Sequence, residues 1–190
     1  MTRTLVAALC LALFAAPAPS NTDARPAALQ AIPSLDVPPY MGTWYQVALY
    51  PNRFQKQCTS DTTATYRQLD NGQVEVINRC RNAAGEFEEV IGVARPLGRL
   101  SEGRLQPAQL QVSFLPAWLR WLPVGWGRYW VIKLADDQRY AIVSEPDREY
   151  LWILARSPRL DPRDEREIQA FLRAQAFDLA RIQTHRHGSP

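Results

Sequence analysis

The sequence predicts an all-β protein: an eight-stranded antiparallel up-and-down β-barrel with one α-helix packed on its outside near the C-terminus. Eight short segments are rich in β-branched and aromatic residues and are bounded by turn formers. Short links without helices join these segments, so sequence neighbours are expected to pair antiparallel. Closure into a barrel is favoured over an open sandwich because it removes exposed strand edges.

The clearest strand signals are one hairpin and one alternating segment. Asp70-Asn71-Gly72 is typical of a tight type I′ turn, because Asn-Gly tolerates positive φ angles. In the fifth segment Leu110, Val112 and Phe114 alternate with polar residues, which indicates one dry face and one wet face. The eight predicted strands are Thr43–Leu49, Thr62–Gln68, Gln73–Arg79, Glu86–Ala94, Gln109–Leu115, Arg128–Leu134, Tyr140–Ser144 and Tyr150–Arg156.

A single helix is predicted over residues 161–176. Asp161 is a good N-cap and Pro162 fits the first helical position. Ile168 and Leu172 follow helical spacing, which predicts a face packed against the barrel rather than against a partner. Leu179–Thr184 is a candidate for a ninth, short strand.

The N-terminus has the layout of a secretory signal over residues 1–20. Arg3 precedes an unbroken apolar run of twelve residues, Leu5–Ala16, which is followed by small residues and prolines. Such a run is too short to cross a bilayer as a helix, which needs roughly 20 residues. A buried N-terminal helix is the alternative. We expect an exported protein.

Beyond the signal, composition divides the chain into three parts. Residues 21–39 are rich in Ala and Pro and are predicted to form a flexible or wrapping leader, with order beginning near Tyr40. The barrel and helix occupy residues 40–184, and residues 185–190 form a tail. Cys10 lies inside the signal, where it is interpreted as packing rather than as a lipid anchor. Cys58 and Cys80 remain and predict one disulfide, with two free thiols as the alternative.

Composition disfavours several kinds of chemistry. The chain has 22 basic and 19 acidic residues, a net charge of +3, which is too balanced to predict a nucleic-acid partner. Its two histidines, His185 and His187, lie in the tail. With no histidine in the predicted barrel, neither a metal, a haem nor another cofactor is expected, and no catalytic residues are predicted.

Several motifs carry a family resemblance. Gly42-Thr43-Trp44-Tyr45, Val76-Ile77-Asn78, Tyr129-Trp130-Val131-Ile132 and the segment Asp147–Arg156 occur in register, with the helix following. From about Tyr40 to Thr184 the chain resembles the bacterial outer-membrane lipocalins, which are similar to apolipoprotein D. The resemblance implies that Trp44 plugs the closed end of the barrel with Arg156 over its ring. Both residues would then be structural.

Strand alternation, counted from Trp44 and Arg156, predicts which side chains line the barrel. The lining is apolar and aromatic, as expected for a site that binds a lipid-like molecule, and its few polar groups could orient a head group. A barrel filled by its own side chains is the alternative, and a register slip of one residue would invert each set. The predicted ligand-binding residues are Gln46, Ala48, Tyr50, Val76, Asn78, Leu110, Val112, Phe114, Trp130, Tyr150, Trp152 and Leu154.

The resemblance places the connections after the first, third, fifth and seventh strands at the open mouth. A Cys58–Cys80 bond would then pin the first loop against the barrel wall. The fifth connection is unusually apolar, so it is either a lid over the cavity or a membrane contact. Its predicted residues are Trp118, Leu119, Arg120, Trp121, Leu122 and Trp126.

The leading functional hypothesis is a non-enzymatic carrier or scavenger of fatty acids, lysophospholipids or similar amphiphiles in the bacterial cell envelope. The resemblance implies this ligand class and a location in the periplasm or at the outer membrane. The partners expected are a small lipophilic ligand and a peripheral membrane contact, with no nucleic acid. Two alternatives stay open: a lipocalin-type enzyme acting on a bound apolar ligand, and a protein that docks a partner or membrane through its Trp-rich loop.

Overall fold

The computed structural model describes residues 26–188 and confirms the predicted fold class. Eight antiparallel strands close into a barrel, and one long helix packs on the outside. The predicted signal peptide and Cys10 lie outside the described residues. The strands are β1 (Leu35–Asp36), β2 (Gly42–Leu49), β3 (Ser60–Gln68), β4 (Val74–Arg81), β5 (Phe87–Pro96), β6 (Arg99–Ser101), β7 (Arg104–Gln106), β8 (Gln109–Ser113), β9 (Gly127–Leu134), β10 (Tyr140–Ser144), β11 (Leu151–Ala155) and β12 (Gln183–Thr184).

The barrel runs in sequence order. Strands β2, β3, β4, β5, β8, β9, β10 and β11 pair with their neighbours, and β11 pairs with β2 to close the ring. The β3–β4 hairpin forms where Asp70-Asn71-Gly72 predicts it: Leu69 N–H donates to the Gln73 carbonyl at 2.8 Å. The turn is not the expected type I′, because within Asp70-Asn71-Gly72 only Gly72 has a positive φ, +78°, a left-handed conformation that glycine adopts without a Cβ penalty.

A small sheet covers the closed end of the barrel. Strands β1, β7 and β6 form it, and the side chains of Leu35, Leu100 and Leu105 pack into the barrel interior from below. The turn formers between the fourth and fifth predicted strands gave no sign of the β6–β7 hairpin, because each of its strands has only three residues.

The leader is ordered earlier than predicted. Leu29 and Leu35 are buried, and Ile32 N–H donates to the Val131 carbonyl at 2.8 Å. The short helix α1 (Val37–Tyr40) then leads into β2. The expectation that order begins near Tyr40 is therefore wrong: this segment wraps the barrel, held by single apolar anchors and backbone hydrogen bonds that leave no periodic pattern in the sequence.

The long helix, α2 (Pro162–Ala174), begins at the predicted N-cap. The Asp161 carboxylate accepts from Arg163 N–H at 2.8 Å. Ile168 and Leu172 are buried against the outer face of the barrel, in a second core that contains Ile142 and Ile153. No helix within residues 26–188 is long and apolar enough to cross a membrane.

The C-terminal tail is docked rather than free. Strand β2 pairs with β3 over Gly42–Tyr45 and with β12 at Ala48 and Leu49. Beyond β12, His185 N–H donates to the Val47 carbonyl at 2.8 Å, and the His187 Nε2 atom lies 2.9 Å from the Gln46 carbonyl. The described part of the tail, residues 185–188, continues along the edge of β2 that β3 leaves open. Of the predicted ninth strand, Gln183–Thr184 is extended and Leu179–Arg181 is a 3₁₀ turn.

Candidate ligand-binding site

The closed end is built around a buried tryptophan. Trp44 is fully buried, and its indole N–H donates to the Tyr40 carbonyl at 2.8 Å. The Arg156 guanidinium lies 3.8 Å from the centre of the Trp44 ring. It also donates to the backbone carbonyls of Pro39, Met41 and Thr43 at 2.7–2.9 Å. Arg156 thus ties the entering chain to the end of the last barrel strand, which is a structural role.

Above this plug, most of the predicted lining faces the interior. Val76, Leu110, Val112, Trp152 and Leu154 belong to the core inside the barrel. Gln46 pairs across the sheet with Leu154, and Asn78 pairs with Ala64, so strand pairing puts both on the same face. Towards the mouth, the Tyr150 ring stacks on Trp152 with centroids 5.8 Å apart.

Phe114 reaches the interior because its neighbour has no side chain. A Cβ at Gly92 would lie 2.6 Å from the Phe114 ring, and Gly92 pairs with the inward Val76. The Phe114 ring is 38% exposed. It is an aromatic surface that a ligand entering the mouth would meet.

Three predicted lining residues face outward instead. A register shift between Ile153 and Leu154 places an extra residue, Val47, in β2 and reverses the alternation after Gln46. Ala48 and Tyr50 therefore pack in the core beneath the helix, where the Tyr50 hydroxyl donates to the Asp178 carbonyl at 2.8 Å.

Trp130 is the third residue to face outward. It packs in the core beneath the helix, while Tyr129 and Val131 take the interior places of β9. Because the helix covers the outer face of β9, both faces of this strand are apolar, and its pattern could not show which one points inward.

An apolar cavity of about 40 Å³ remains at the closed end. Three tyrosines outside the predicted lining border it: Tyr40, Tyr66 and Tyr129. Tyr66 could have been found, since it follows Ala64 at the period of two on an inward face. Tyr40 lies before the first barrel strand, so no strand alternation predicts its direction. The other lining residues are Leu35, Val37, Met41, Gly72, Val74, Val76, Ala94, Pro96, Leu100, Leu105, Leu110 and Val112.

The first mouth loop reaches into the barrel through Gln55. The Trp152 indole N–H, which can only donate, bonds to Gln55 Oε1 at 2.9 Å, and Asn52 Nδ2 donates to the same oxygen at 3.0 Å. Gln55 Nε2 then donates to Gln46 Oε1 at 2.8 Å. The indole thereby fixes the orientation of both amides. Gln46 Nε2 is left buried, without a hydrogen-bond partner among the described residues.

The predicted disulfide is confirmed. Cys58 and Cys80 are bonded, with Cα atoms 5.5 Å apart, and join the first mouth loop to β4. Next to the bond, Thr59 N–H donates to the Arg81 carbonyl at 2.7 Å. Closing the loop from residue 58 to residue 80 stabilises the fold by roughly 3 kcal/mol on the chain-entropy model.

The Trp-rich connection between β8 and β9 does not fold over the cavity. Trp118 is 72% exposed and Trp121 is 78% exposed. Trp126 instead anchors the connection: its ring lies 4.0 Å from the Arg95 guanidinium, and its indole N–H donates to the Arg120 carbonyl at 2.9 Å. Leu119, Leu122 and Trp126 are half-buried, whereas the Trp118 and Trp121 side chains point to solvent, which does not agree with the lid alternative.

An up-and-down barrel with one plugged end, an apolar interior and a mouth built from loops defines a class of small-ligand-binding proteins. The family model described as "Lipocalin-like domain" matches residues 35–187, nearly the whole of the described chain. The chain belongs to the lipocalin family.

Similarity to known proteins extends along most of the chain. It is 33% identical over 179 residues to the outer membrane lipoprotein Blc of Escherichia coli (strain K12), covering 94% of this chain and 93% of that protein. It is 29% identical over 159 residues to apolipoprotein D of Mus musculus, covering 80% and 76%. Among solved structures, insecticyanin from the tobacco hornworm Manduca sexta superposes with a TM-score of 0.66 over 85% of each chain at 19% identity.

Proposed function

We propose that this lipocalin binds a lipid-like amphiphile, such as a fatty acid or lysophospholipid, inside its barrel and carries or scavenges it in the bacterial cell envelope. The observation that carries the proposal is the apolar cavity at the plugged end, which lies below a mouth with aromatic walls. Binding rests on burial of the acyl chain, which contributes about 0.8 kcal/mol per methylene group. No covalent step is needed.

Export to the envelope is part of the proposal. The first twenty residues have the charged, apolar and small-residue layout of a secretory signal. A relative matched over 94% of this chain is named an outer membrane lipoprotein. We therefore place the working protein in the periplasm or at the outer membrane.

Loading requires the first mouth loop to move. A cavity of about 40 Å³ holds only a few water-sized groups, so a long acyl chain needs further room above it. The Gln55 side chain fills that room through its bonds to Gln46 and Trp152. Withdrawal of Gln55 would lengthen the apolar channel and release the Gln46 amide.

The test is fluorescence titration with cis-parinaric acid, excited directly, against two variants of β8. Val112→Phe adds a ring at the cavity wall and is expected to weaken binding at least tenfold. Gln111→Phe adds the same ring to the outer face, where Gln111 contacts Arg95, and is expected to bind like the unmodified protein. Failure of the unmodified protein to bind, or equal binding by both folded variants, would contradict the carrier role.

A second proposal is peripheral contact of the Trp-rich connection with a membrane surface. Trp118, Trp121 and Val124 are 69–78% exposed at the mouth end of the barrel. Trp favours the bilayer interface, and the exposed Arg128 is available to lipid phosphates. Contact at this end would bring the mouth to the lipid that it loads.

Co-sedimentation with phosphatidylethanolamine–phosphatidylglycerol vesicles tests this contact. Trp118→Ala/Trp121→Ala is expected to reduce the bound fraction strongly. Leu97→Ala, which removes an exposed apolar side chain from the link after β5 at the closed end, is expected to leave it unchanged. A double variant that sediments like the unmodified protein removes the membrane contact from the account.

A further inference from the structure

We propose that the three tyrosine hydroxyls at the closed end form a subsite for a neutral, hydrogen-bond-accepting oxygen at the deep end of the ligand. The ligand class is a long-chain lipid that carries a keto, aldehyde, ester or hydroxyl oxygen at or near the end that enters the barrel first. This inference rests on the proposed function and deepens it, because it names a chemical feature of the cargo.

Three separate elements bring the hydroxyls together. Tyr40 comes from α1, Tyr66 from β3 and Tyr129 from β9, and all three border the same cavity. The Tyr129 oxygen lies 2.9 Å from the Tyr40 oxygen and 2.9 Å from the Tyr66 oxygen. The rings are packed as well, with Tyr40 and Tyr66 stacked at a centroid distance of 5.7 Å.

Counting protons shows that this cluster has a donor to spare. Three hydroxyls carry three protons, and the cluster contains two hydrogen bonds, with Tyr129 in the middle. Whichever way the hydroxyls rotate, one O–H has no acceptor within the cluster. The hydrogen bonds of residues 26–188 include no other partner for these oxygens, and the remaining cavity-lining side chains are apolar. A buried donor without an acceptor is unfavourable, so an oxygen placed in the cavity would bind to it.

The surroundings select a neutral oxygen. Burial raises the pKa of Tyr66 to about 12 and raises those of Tyr40 and Tyr129 as well, so the hydroxyls are uncharged donors at pH 7. No charged side chain lines the cavity. The Arg156 guanidinium donates to backbone carbonyls at the plug. The positive charge of Arg156 lowers the pKa of Tyr40 and of Tyr66 by less than burial raises it. A carboxylate in the cavity would therefore lose its hydration with no cation among the lining side chains to pair with, whereas a neutral carbonyl or hydroxyl loses much less on burial.

The orientation of the ligand follows. An ionised head group remains at the mouth, where water reaches it, and the far end of the chain descends towards the tyrosines. A plain methyl terminus would leave the spare O–H unpaired. A terminus with a keto or hydroxyl oxygen would pair it, so the barrel is expected to discriminate between two chains of equal length.

The experiment compares palmitic acid with its 15-keto derivative by displacement of cis-parinaric acid. The unmodified protein is expected to bind the keto acid about tenfold more tightly, the size of one neutral hydrogen bond. In Tyr40→Phe/Tyr66→Phe/Tyr129→Phe, which keeps the rings and removes every hydroxyl, the preference is expected to vanish while palmitic acid still binds. Tyr45→Phe, on the outer face against His187, is the control and is expected to retain the preference.

The count of protons also predicts the behaviour of a variant that lacks only one of the three hydroxyls. Tyr66→Phe leaves two hydroxyls joined by one hydrogen bond, so one O–H still lacks an acceptor and the preference for the keto acid is expected to remain.

If the triple variant does not fold, the infrared carbonyl stretch of the 15-keto acid bound to the unmodified protein takes the place of the binding comparison. A shift to lower frequency than in hydrocarbon solvent is expected from a hydrogen bond at the cavity.

The outcomes separate the two proposals. Equal affinity of the unmodified protein for both acids, or an unshifted carbonyl stretch, overturns the tyrosine subsite and leaves the carrier role standing. Binding of neither acid overturns the carrier role, and the subsite with it.

Discussion

At the scale of single residues, Arg156 does more than stack on a ring. Its planar guanidinium covers Trp44 and donates to three backbone carbonyls of the entering chain. A lysine keeps the charge but has neither the plane nor the fork of donors. Substitution of Arg156 by lysine therefore tests whether the stability of the closed end depends on the shape of the guanidinium or only on its positive charge.

Arg156→Lys is expected to lower the free energy of unfolding by about 2 kcal/mol, because the stacking and most of the backbone hydrogen bonds are lost. Urea unfolding followed by circular dichroism measures the change. Arg159→Lys, the same substitution at an exposed arginine three positions later, is expected to be close to neutral. Equal stability of the two variants would mean that charge alone suffices.

The role of a residue was predictable from the sequence only where a family motif or strand alternation indicated it. The resemblance gave Trp44 and Arg156, and alternation gave the interior places of Val76, Leu110 and Val112. The tyrosine cluster was not predictable, because its hydroxyls meet through contacts between three distant segments, one of them outside the barrel strands. The spacing of residues in the sequence does not indicate contacts between side chains of such distant segments.

At the scale of elements, the first mouth loop is held to the barrel by the Gln55 side chain, by the Phe54–Tyr150 ring contact and by a disulfide. Gln55 links the loop to Trp152 and to Gln46, and the Cys58–Cys80 bond fixes the end of the loop. The disulfide holds the end of the loop at Cys58 covalently, whereas Gln55 is held only by hydrogen bonds. The loop can therefore open at Gln55 without unfolding the barrel.

Gln55→Ala is expected to speed ligand association several-fold, because the tip of the loop no longer occupies the barrel. Stopped-flow mixing with cis-parinaric acid measures the rate. Lys56→Ala, at the neighbouring exposed position, is the matched control and is expected to associate at the unmodified rate. An association rate in Gln55→Ala that equals the control would show that the loop does not limit entry.

The docked tail makes stability depend on pH. Burial lowers the pKa of His185, whose ring contacts Thr62 and lies near His187 and Asp61. A base with a lowered folded-state pKa contributes stability above its usual value of about 6.5, and this is lost as the pH falls towards the folded-state value. Asp61, whose pKa is lowered chiefly by the Gly188 N–H, stays ionised throughout this window.

We therefore expect the free energy of unfolding to decrease from pH 7 to pH 5, and to decrease less in His185→Gln, which keeps a polar group opposite Thr62. Urea titrations at pH 5, 6 and 7 measure the slope. Identical slopes in the two proteins would remove His185 as the cause.

Element boundaries show where patterns are sufficient and where they are not. The helix was predictable from Asp161 and its apolar spacing, and the β3–β4 hairpin from Asn71-Gly72. The outward direction of the Ala48 and Tyr50 side chains was not predictable, because the extra residue in β2 can be recognised only from its pairing with β11. The burial of Leu29 was also missed, since the leader is ordered by the barrel that it wraps.

At the scale of the whole molecule, two separate apolar cores stabilise the fold, one inside the barrel and one between the barrel and the helix. The outer core fixes the helix to the wall formed by β2, β9, β10 and β11, and the inner core leaves the cavity that a ligand can extend. Trp44 and Arg156 close one end of the barrel, and the Gln55 loop and the exposed tryptophans lie at the other. We expect the barrel to stay rigid while a ligand enters, with the first mouth loop as the part that moves.

The most direct measurement of the proposed carrier role is mass spectrometry of small molecules released from the protein purified from its native host. We expect about one amphiphile per barrel from the unmodified protein and a strongly reduced yield from Val112→Phe, with Gln111→Phe as the matched control. Recovery of no amphiphile from the folded, unmodified protein, or the same yield from Val112→Phe and Gln111→Phe, would contradict it.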